Sequence, residues 1–160
     1  MDGNDYDEIV NDYDEIVHNL FIGSVAALHS DDKFSTVVNC AEGSMIEFPA
    51  NCKNCIRIPI EDDPSECNNL LNFIVETKVL EKINASILNN EPVLVHCYAG
   101  RQRSCSLVAC YLIKYHKYTP EAAIEFITGK RRVAFTGGIT FISAIASFIL
   151  KSSIKYKIVE

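Results

Sequence analysis

Between Val93 and Cys110 the chain reads VLVHCYAGRQRSCSLVAC. An apolar, β-branched run ends at His96 and Cys97. A polar loop with one glycine and two arginines follows, and a second apolar run starts behind Ser104. This predicts a strand, a tight loop and a helix. A strand without polar alternation is buried on both faces, and a small domain achieves that with a mostly parallel sheet covered by helices. The segments STVVNC (35–40) and CIRIPI (55–60) predict further strands of the same kind. The fold class that follows is α/β, a single domain with a central, mostly parallel twisted sheet flanked by helices.

The remaining elements follow from periodicity and punctuation. EIV-HN-LFIG (15–23) predicts a short hairpin, and SVAALH (24–29) a short helix. From Leu70 to Leu88 apolar residues recur at helical intervals, with a break expected near Glu76 to Lys78. Thr119 followed by Pro120 is an N-cap with proline at the first helical position. Gly137-Gly138 ends the following segment before a last helix. That helix, ITFISAIASFIL (139–150), is expected to be buried, with Thr140, Ser143 and Ser147 as a small polar face. The heptapeptide NDYDEIV occurs twice, at 4–10 and 11–17. The second copy leads into the hairpin, and the first reads as a solvated acidic tail, with an added edge strand or an arm that grips a second molecule as the alternatives.

A chain of 160 residues, 48 % apolar and 22 % charged, has the composition of one globular domain. Its net charge of −6 argues against a general nucleic-acid binder, yet allows a local anion site. The first residues are acidic where a secretory leader is basic and then apolar, and the longest apolar stretch is too short to span a bilayer. Seven cysteines, an odd number, without a leader argue against a disulfide framework and for a reducing, cytoplasmic or nuclear setting. Cys52 and Cys55 form a CxxC, but no second pair stands at zinc spacing, so they read as ordinary loop and strand-edge thiols. No metal and no cofactor is expected.

The chemistry concentrates in the loop. Ligands of such sheets bind at the carboxyl ends of the strands, where His96 and Cys97 fall. A tight turn over Tyr98, Ala99, Gly100, Arg101 and Gln102 can aim successive backbone N–H groups into one concavity at a helix N-terminus, which forms an anion cradle. Gly100 permits the backbone conformation required. Arg103 adds a fork of donors suited to two phosphate oxygens. The same field lowers the pKa of Cys97 and makes its thiolate a nucleophile aimed at phosphorus. Residue types fixed as His-Cys-x-x-Gly-x-x-Arg-Ser would arise by chance in roughly one such chain in ten thousand, which favours function over coincidence.

VHCYAGRQRS resembles the signature of the cysteine-dependent protein tyrosine phosphatases. With EIVHNLFIGSVAAL, VVNCAE, IPIEDDPSE and EPVLVHCYAG, the chain resembles the small, atypical dual-specificity phosphatases, a group with viral members, from about Glu15 to Leu150. The resemblance implies a tail over 1–13, a catalytic domain over 14–151 and a second tail over 152–160. It implies that Cys97 attacks phosphorus and forms a phosphocysteine, that Arg103 holds the equatorial oxygens, and that Ser104 helps the sulfur to leave. His96 orients the loop and helps keep the thiol ionised. A general acid is needed on the loop after Ile58-Pro59; Asp62 is the first candidate and Asp63 the second. The substrates implied are phosphorylated proteins or peptides carrying phosphotyrosine, phosphoserine or phosphothreonine, with phosphoinositides or an RNA 5′-triphosphate as the alternative. A catalytically weak phosphate-binding module is the non-enzyme alternative. The expected state is a monomer or weak homodimer, in the host cytoplasm or virion if viral.

One position departs from the family pattern: Cys105 stands where glycine usually follows Arg-Ser, where it crowds the helix start or packs inward. If the strand ending at Cys40 neighbours the one ending at Cys97, oxidation could close a protective disulfide there. Arg101 either faces solvent or widens the positive field for a polyanionic substrate. Lys130, Arg131 and Arg132 follow a helix, where cations suit its dipole, and the resemblance brings this segment near the active site.

Overall fold

In a computed structural model, residues 12–29, 34–43 and 46–148 are described. The first copy of the heptapeptide, the domain boundary at 151 and the C-terminal tail lie outside the described residues. Five strands form one sheet: β1 (Tyr13–Val17), β2 (Leu20–Gly23), β3 (Thr36–Asn39), β4 (Asn54–Arg57) and β5 (Val93–His96), in the spatial order β1-β2-β5-β3-β4. β1 and β2 are the expected antiparallel hairpin, and every other pair is parallel. Four helices follow in chain order: α1 (Cys67–Thr77), α2 (Val79–Leu88), α3 (Arg103–His116) and α4 (Pro120–Lys130). A further helical segment covers 142–148.

The sheet alternates as its sequence requires. Leu20, Ile22, Val38, Val93 and Val95 point into a large cluster that also holds the buried residues of all four helices. Val37 and Leu94 point to the other face, under the 3-10 turn Val25–His29 and an edge-to-face trio of Tyr13, Phe21 and Phe34. α3 runs through the large cluster, with every residue from Ser104 to Ile113 buried. The break expected between two helices falls at Lys78, whose φ of 56° is left-handed. The last helix buries Ala144, Ile145 and Phe148, with Phe141 buried just before it, and leaves Ser143 exposed; Ile142 is exposed too, so the helix is buried on one face and not all round as expected.

CIRIPI is a strand only in its first half. β4 ends at Arg57, and after Ile58 donates to the Asn39 carbonyl at 2.8 Å the pairing stops. Pro59 has no N–H to continue the ladder. Ile58 and Ile60 stay buried, so the chain leaves the sheet while remaining anchored, and delivers the Asp62 loop above the strand ends.

The parallel register of β3 and β5 pairs Asn39 with His96, and the Cys40 amide donates to the His96 carbonyl at 2.7 Å. Cys40 therefore sits beside Cys97, as the neighbouring-strand expectation required. Peroxide should convert the Cys97 thiolate to a sulfenic acid. A neighbouring buried thiol, Cys40 or Cys105, should then attack that sulfur and release water. Mass spectrometry should find the intramolecular link, reversible by dithiothreitol; Cys97 sulfinic or sulfonic acid without any link would refute this. Separately, Thr119 accepts from the Ala122 amide at 3.1 Å as the N-cap of α4. Thr119→Ala should lower unfolding stability by about 1 kcal/mol in urea titrations, with an unchanged denaturant slope.

Candidate active site

β5 is the central strand, and its carboxyl end delivers Cys97 to the floor of a cleft of about 400 Å³. Asp62, Tyr98, Arg101, Arg103 and Thr136 line its walls, with Tyr98 exposed on the rim. Only 2 % of Cys97 is exposed. The Gly100 amide donates to its sulfur at 3.2 Å, and the Ser104 hydroxyl lies at 3.2 Å. Burial alone pushes this thiol up. Against it act the Ser104 side chain, the amides of Ser104 and Arg101, and the Arg103 charge, and the net result is a thiol below its ordinary value.

The other signature residues are placed by backbone geometry. His96 is fully buried, and its Nδ1 donates to the Cys97 carbonyl at 3.1 Å. Burial holds its pKa down, with the Arg57 charge acting the same way, so the ring is neutral and orients the strand end. Arg103 opens α3, and its Nη1 donates to the Ile60 carbonyl at 3.0 Å, which joins the loop to the segment carrying Asp62. Its Nε is buried without a hydrogen-bond partner among the described residues.

The two aspartates differ in employment. Asp62 lines the cleft. Asp63 caps the 3-10 turn Pro64–Glu66, accepting from the Ser65 amide at 2.8 Å, and that bond holds its carboxyl below the usual range. A carboxylate committed to a cap and made more acidic is poorly suited to donate a proton near neutral pH.

Gln102 is nearly buried and ties the loop to the cleft wall. Its amide nitrogen donates to the carbonyls of Thr136 at 3.2 Å and Gly138 at 2.7 Å, and its oxygen accepts from Thr140 N at 3.1 Å. Arg101 is exposed at the cleft, but its Nε is anchored on Thr136 Oγ1 at 2.8 Å. Cys105 packs inward and is fully buried, with its thiol donating to the Gly100 carbonyl at 3.5 Å.

Sequence reasoning missed the place of Arg131. Lys130 and Arg132 are exposed, whereas Arg131 is 1 % exposed and lies beneath the loop. Its Nε donates to the Gly100 carbonyl at 2.7 Å, and its Nη1 pairs with Asp12 at 3.1 Å and Asp14 at 2.9 Å. The signal was present: Ala123, Ile127 and Arg131 share one helical stripe at four-residue spacing, and the first two are core residues.

The model of the dual-specificity phosphatase catalytic domain matches residues 20–149. A protein named as a tyrosine phosphatase, 123R of Invertebrate iridescent virus 6, is 31 % identical over 132 residues, covering 81 % of this chain and 87 % of that one. Phosphatidylglycerophosphatase and protein-tyrosine phosphatase 1 of Rattus norvegicus is 60 % identical over 35 residues, 22 % of this chain and 18 % of that one. The crystal structure of human DUSP28 superposes with a TM-score of 0.75 at 21 % identity, covering 88 % of this chain and 95 % of that one, a likeness of fold. The loop, the sheet order and these matches lead to one assignment: the chain belongs to the dual-specificity phosphatase catalytic-domain family.

Proposed function

We propose that this chain hydrolyses phosphomonoesters on proteins, at phosphotyrosine and at phosphoserine or phosphothreonine, through a phosphocysteine on Cys97. The observation that carries the reading is a thiol held below its ordinary value on the floor of an open cleft, ringed by inward N–H donors and the Arg103 guanidinium. The sulfur attacks phosphorus, and the ester oxygen departs with a proton from Asp62. Charge spreading over the equatorial oxygens meets the loop amides and Arg103, whose buried Nε has no partner to give up among the described residues. In the second step water attacks the phosphocysteine with Asp62 as base, while the Ser104 hydroxyl stabilises the departing sulfur. Tyr98, Ala99, Gly100, Arg101 and Gln102 complete the phosphate cradle. His96 fixes the strand end from which Cys97 projects.

A second reading places the scissile phosphate on a lipid. Arg101 supports it: its guanidinium lines the cleft, its Nε is fixed by Thr136, and no carboxylate pairs with it among the described residues. The name of the rat relative also points toward a phospholipid.

Phosphate release from phosphopeptides, phosphoinositides and 5′-triphosphorylated RNA separates these readings. Peptide turnover should dominate and Cys97→Ser should abolish it. A preference for phosphoinositide would establish the second reading, and phosphopeptide binding without release would establish a binding module. Asp62→Asn should lower kcat by about 10²-fold with little change in KM, since an amide cannot give a proton to the leaving oxygen. Asp63→Asn keeps a capping side chain and should retain turnover; the reverse pattern would reassign the acid.

A further inference from the structure

We propose that Arg131, buried beneath the loop and neutralised by two carboxylates of the N-terminal hairpin, is a positioning residue that turns the loop amides onto the Cys97 sulfur. This rests on the reading of Cys97 as the nucleophile and goes beyond it, because neither the signature nor the cleft lining includes Arg131.

The argument is one of peptide geometry. In a trans peptide the C=O and N–H of one unit point in opposite directions. Arg131 Nη2 donates to the Ala99 carbonyl at 3.4 Å, and the N–H of the same unit, on Gly100, donates to Cys97 Sγ at 3.2 Å. Arg131 Nε donates to the Gly100 carbonyl at 2.7 Å, and the N–H of that unit, on Arg101, is among the donors that act on the sulfur. Two consecutive carbonyls are drawn outward to one guanidinium, so two consecutive N–H groups face inward. A loop free to flip either peptide would aim a carbonyl oxygen at the thiolate instead.

The surroundings fit a guanidinium at this point. Gly100 has a φ of 68°, and a Cβ there would stand 2.5 Å from Arg131 Nη2 and 2.7 Å from the Gly23 carbonyl. The missing side chain leaves the room that the fork occupies. Burial by itself lowers the Arg131 pKa, but Asp12 and Asp14 outweigh it and raise it above the ordinary value. Asp12 meets both Nη atoms, at 3.1 and 3.2 Å, and Asp14 meets Nη1 at 2.9 Å. A buried charge deprived of such partners is strongly destabilised, so the carboxylates hold the fork in place as well as balancing it. The chain thus couples the start of β1 to the thiol through one side chain.

The test uses the full chain and reads the thiol directly. In wild type, the rate of Cys97 alkylation by iodoacetamide should stay high down to a pH below the ordinary thiol value and fall as pH drops through it. Arg131→Met should raise that midpoint and lower kcat for p-nitrophenyl phosphate by about 10²-fold, with a cooperative melt above the assay temperature. Arg131→Lys should recover part of both, since it restores charge but not the fork. Should Arg131→Met fail to fold, Asp12→Asn with Asp14→Asn leaves the fork and removes its partners, and should move the midpoint in the same direction. Asp5 and Asp7 repeat the same spacing in the first heptapeptide, so this variant is also made with Asp5→Asn and Asp7→Asn. An unchanged alkylation midpoint in folded Arg131→Met protein, or in the four-aspartate variant, would overturn the inference. Phosphatase activity surviving in Cys97→Ser would instead overturn the nucleophile reading, whatever Arg131 does to the thiol.

Discussion

Four buried thiols, Cys40, Cys97, Cys105 and Cys110, share nearly the same exposure, and only one is driven toward ionisation. Cys110 has nothing but burial acting on it and is pushed up to about 12. Cys40 is also pushed well up, first by burial and then by the neighbouring Cys97, against a smaller opposing pull from Arg103. Cys97 is 2 % exposed and goes the other way. Ser104 and two inward amides make the difference, with Arg103 adding its charge. A thiolate in a low-dielectric site is tolerable only where fixed donors replace its lost water, and those donors must be held without help from solvent. The strand end, the loop and the contacts that hold the loop serve that requirement.

The sheet order explains how a short loop can be held so firmly. β5 is central, so the loop leaving it has packed structure on both sides. On one side is the end of β2: the Val25 amide donates to the Tyr98 carbonyl at 3.0 Å, and the Gly23 backbone approaches Gly100 so closely that no Cβ fits between them. Beneath lies Arg131 at the end of α4. On the remaining side, Gln102 and Arg101 fasten the loop to 136–140, a segment with left-handed φ at Gly137 and Gly138. Phe135, also left-handed at 59°, donates its amide to the Arg101 carbonyl at 2.8 Å, so a strained position is secured by the loop it helps to secure. The loop is therefore fixed by protein contacts, which is the preorganisation that the proposed transition-state role of its dipoles requires.

Much of this was legible in the residues, and the misses have physical reasons. Strand and helix periodicity located the hairpin, the parallel strands, the helix break at Lys78 and the Thr119 cap, because each rests on local propensity or burial of one face. The reach of β4 was overread since Ile58 and Ile60 are as apolar as strand residues; only the missing N–H of Pro59 marks the end of pairing. The signature placed Cys97, Arg103 and Ser104 together because one contiguous loop fixes their spacing. Asp62 and Asp63 could not be separated by sequence, as both are exposed carboxylates in one turn. The backbone separates them by engaging Asp63 as a cap. Arg131 lies about thirty residues from the loop it touches, and its partners lie at the other end of the chain. Contacts of that kind are set by how helices and strands pack, and the basic trio gave a sufficient local reason for an arginine there. The stripe through Ala123 and Ile127 was the overlooked sign, since a cation on a buried stripe requires carboxylates to meet it.

Cys105 shows how the same chemistry can serve opposite ends eight residues apart. The glycine usual at this position leaves space at the helix start; here the side chain turns into the core and is fully buried, so it does not crowd the cleft. Burial raises it to about 12, with Cys97 adding to the rise, so it remains a protonated thiol and does not compete with Cys97 for a phosphate ester. A protonated thiol can donate, and it does so to the Gly100 carbonyl, the oxygen that Arg131 also holds. The departure from the usual residue thus adds a second, weak hold on the carbonyl whose peptide partner faces the Cys97 sulfur. Donors decide the matter at Cys97 and their scarcity decides it at Cys105: one thiol is drawn below its ordinary value by its surroundings, and the other is pushed up and helps to arrange them.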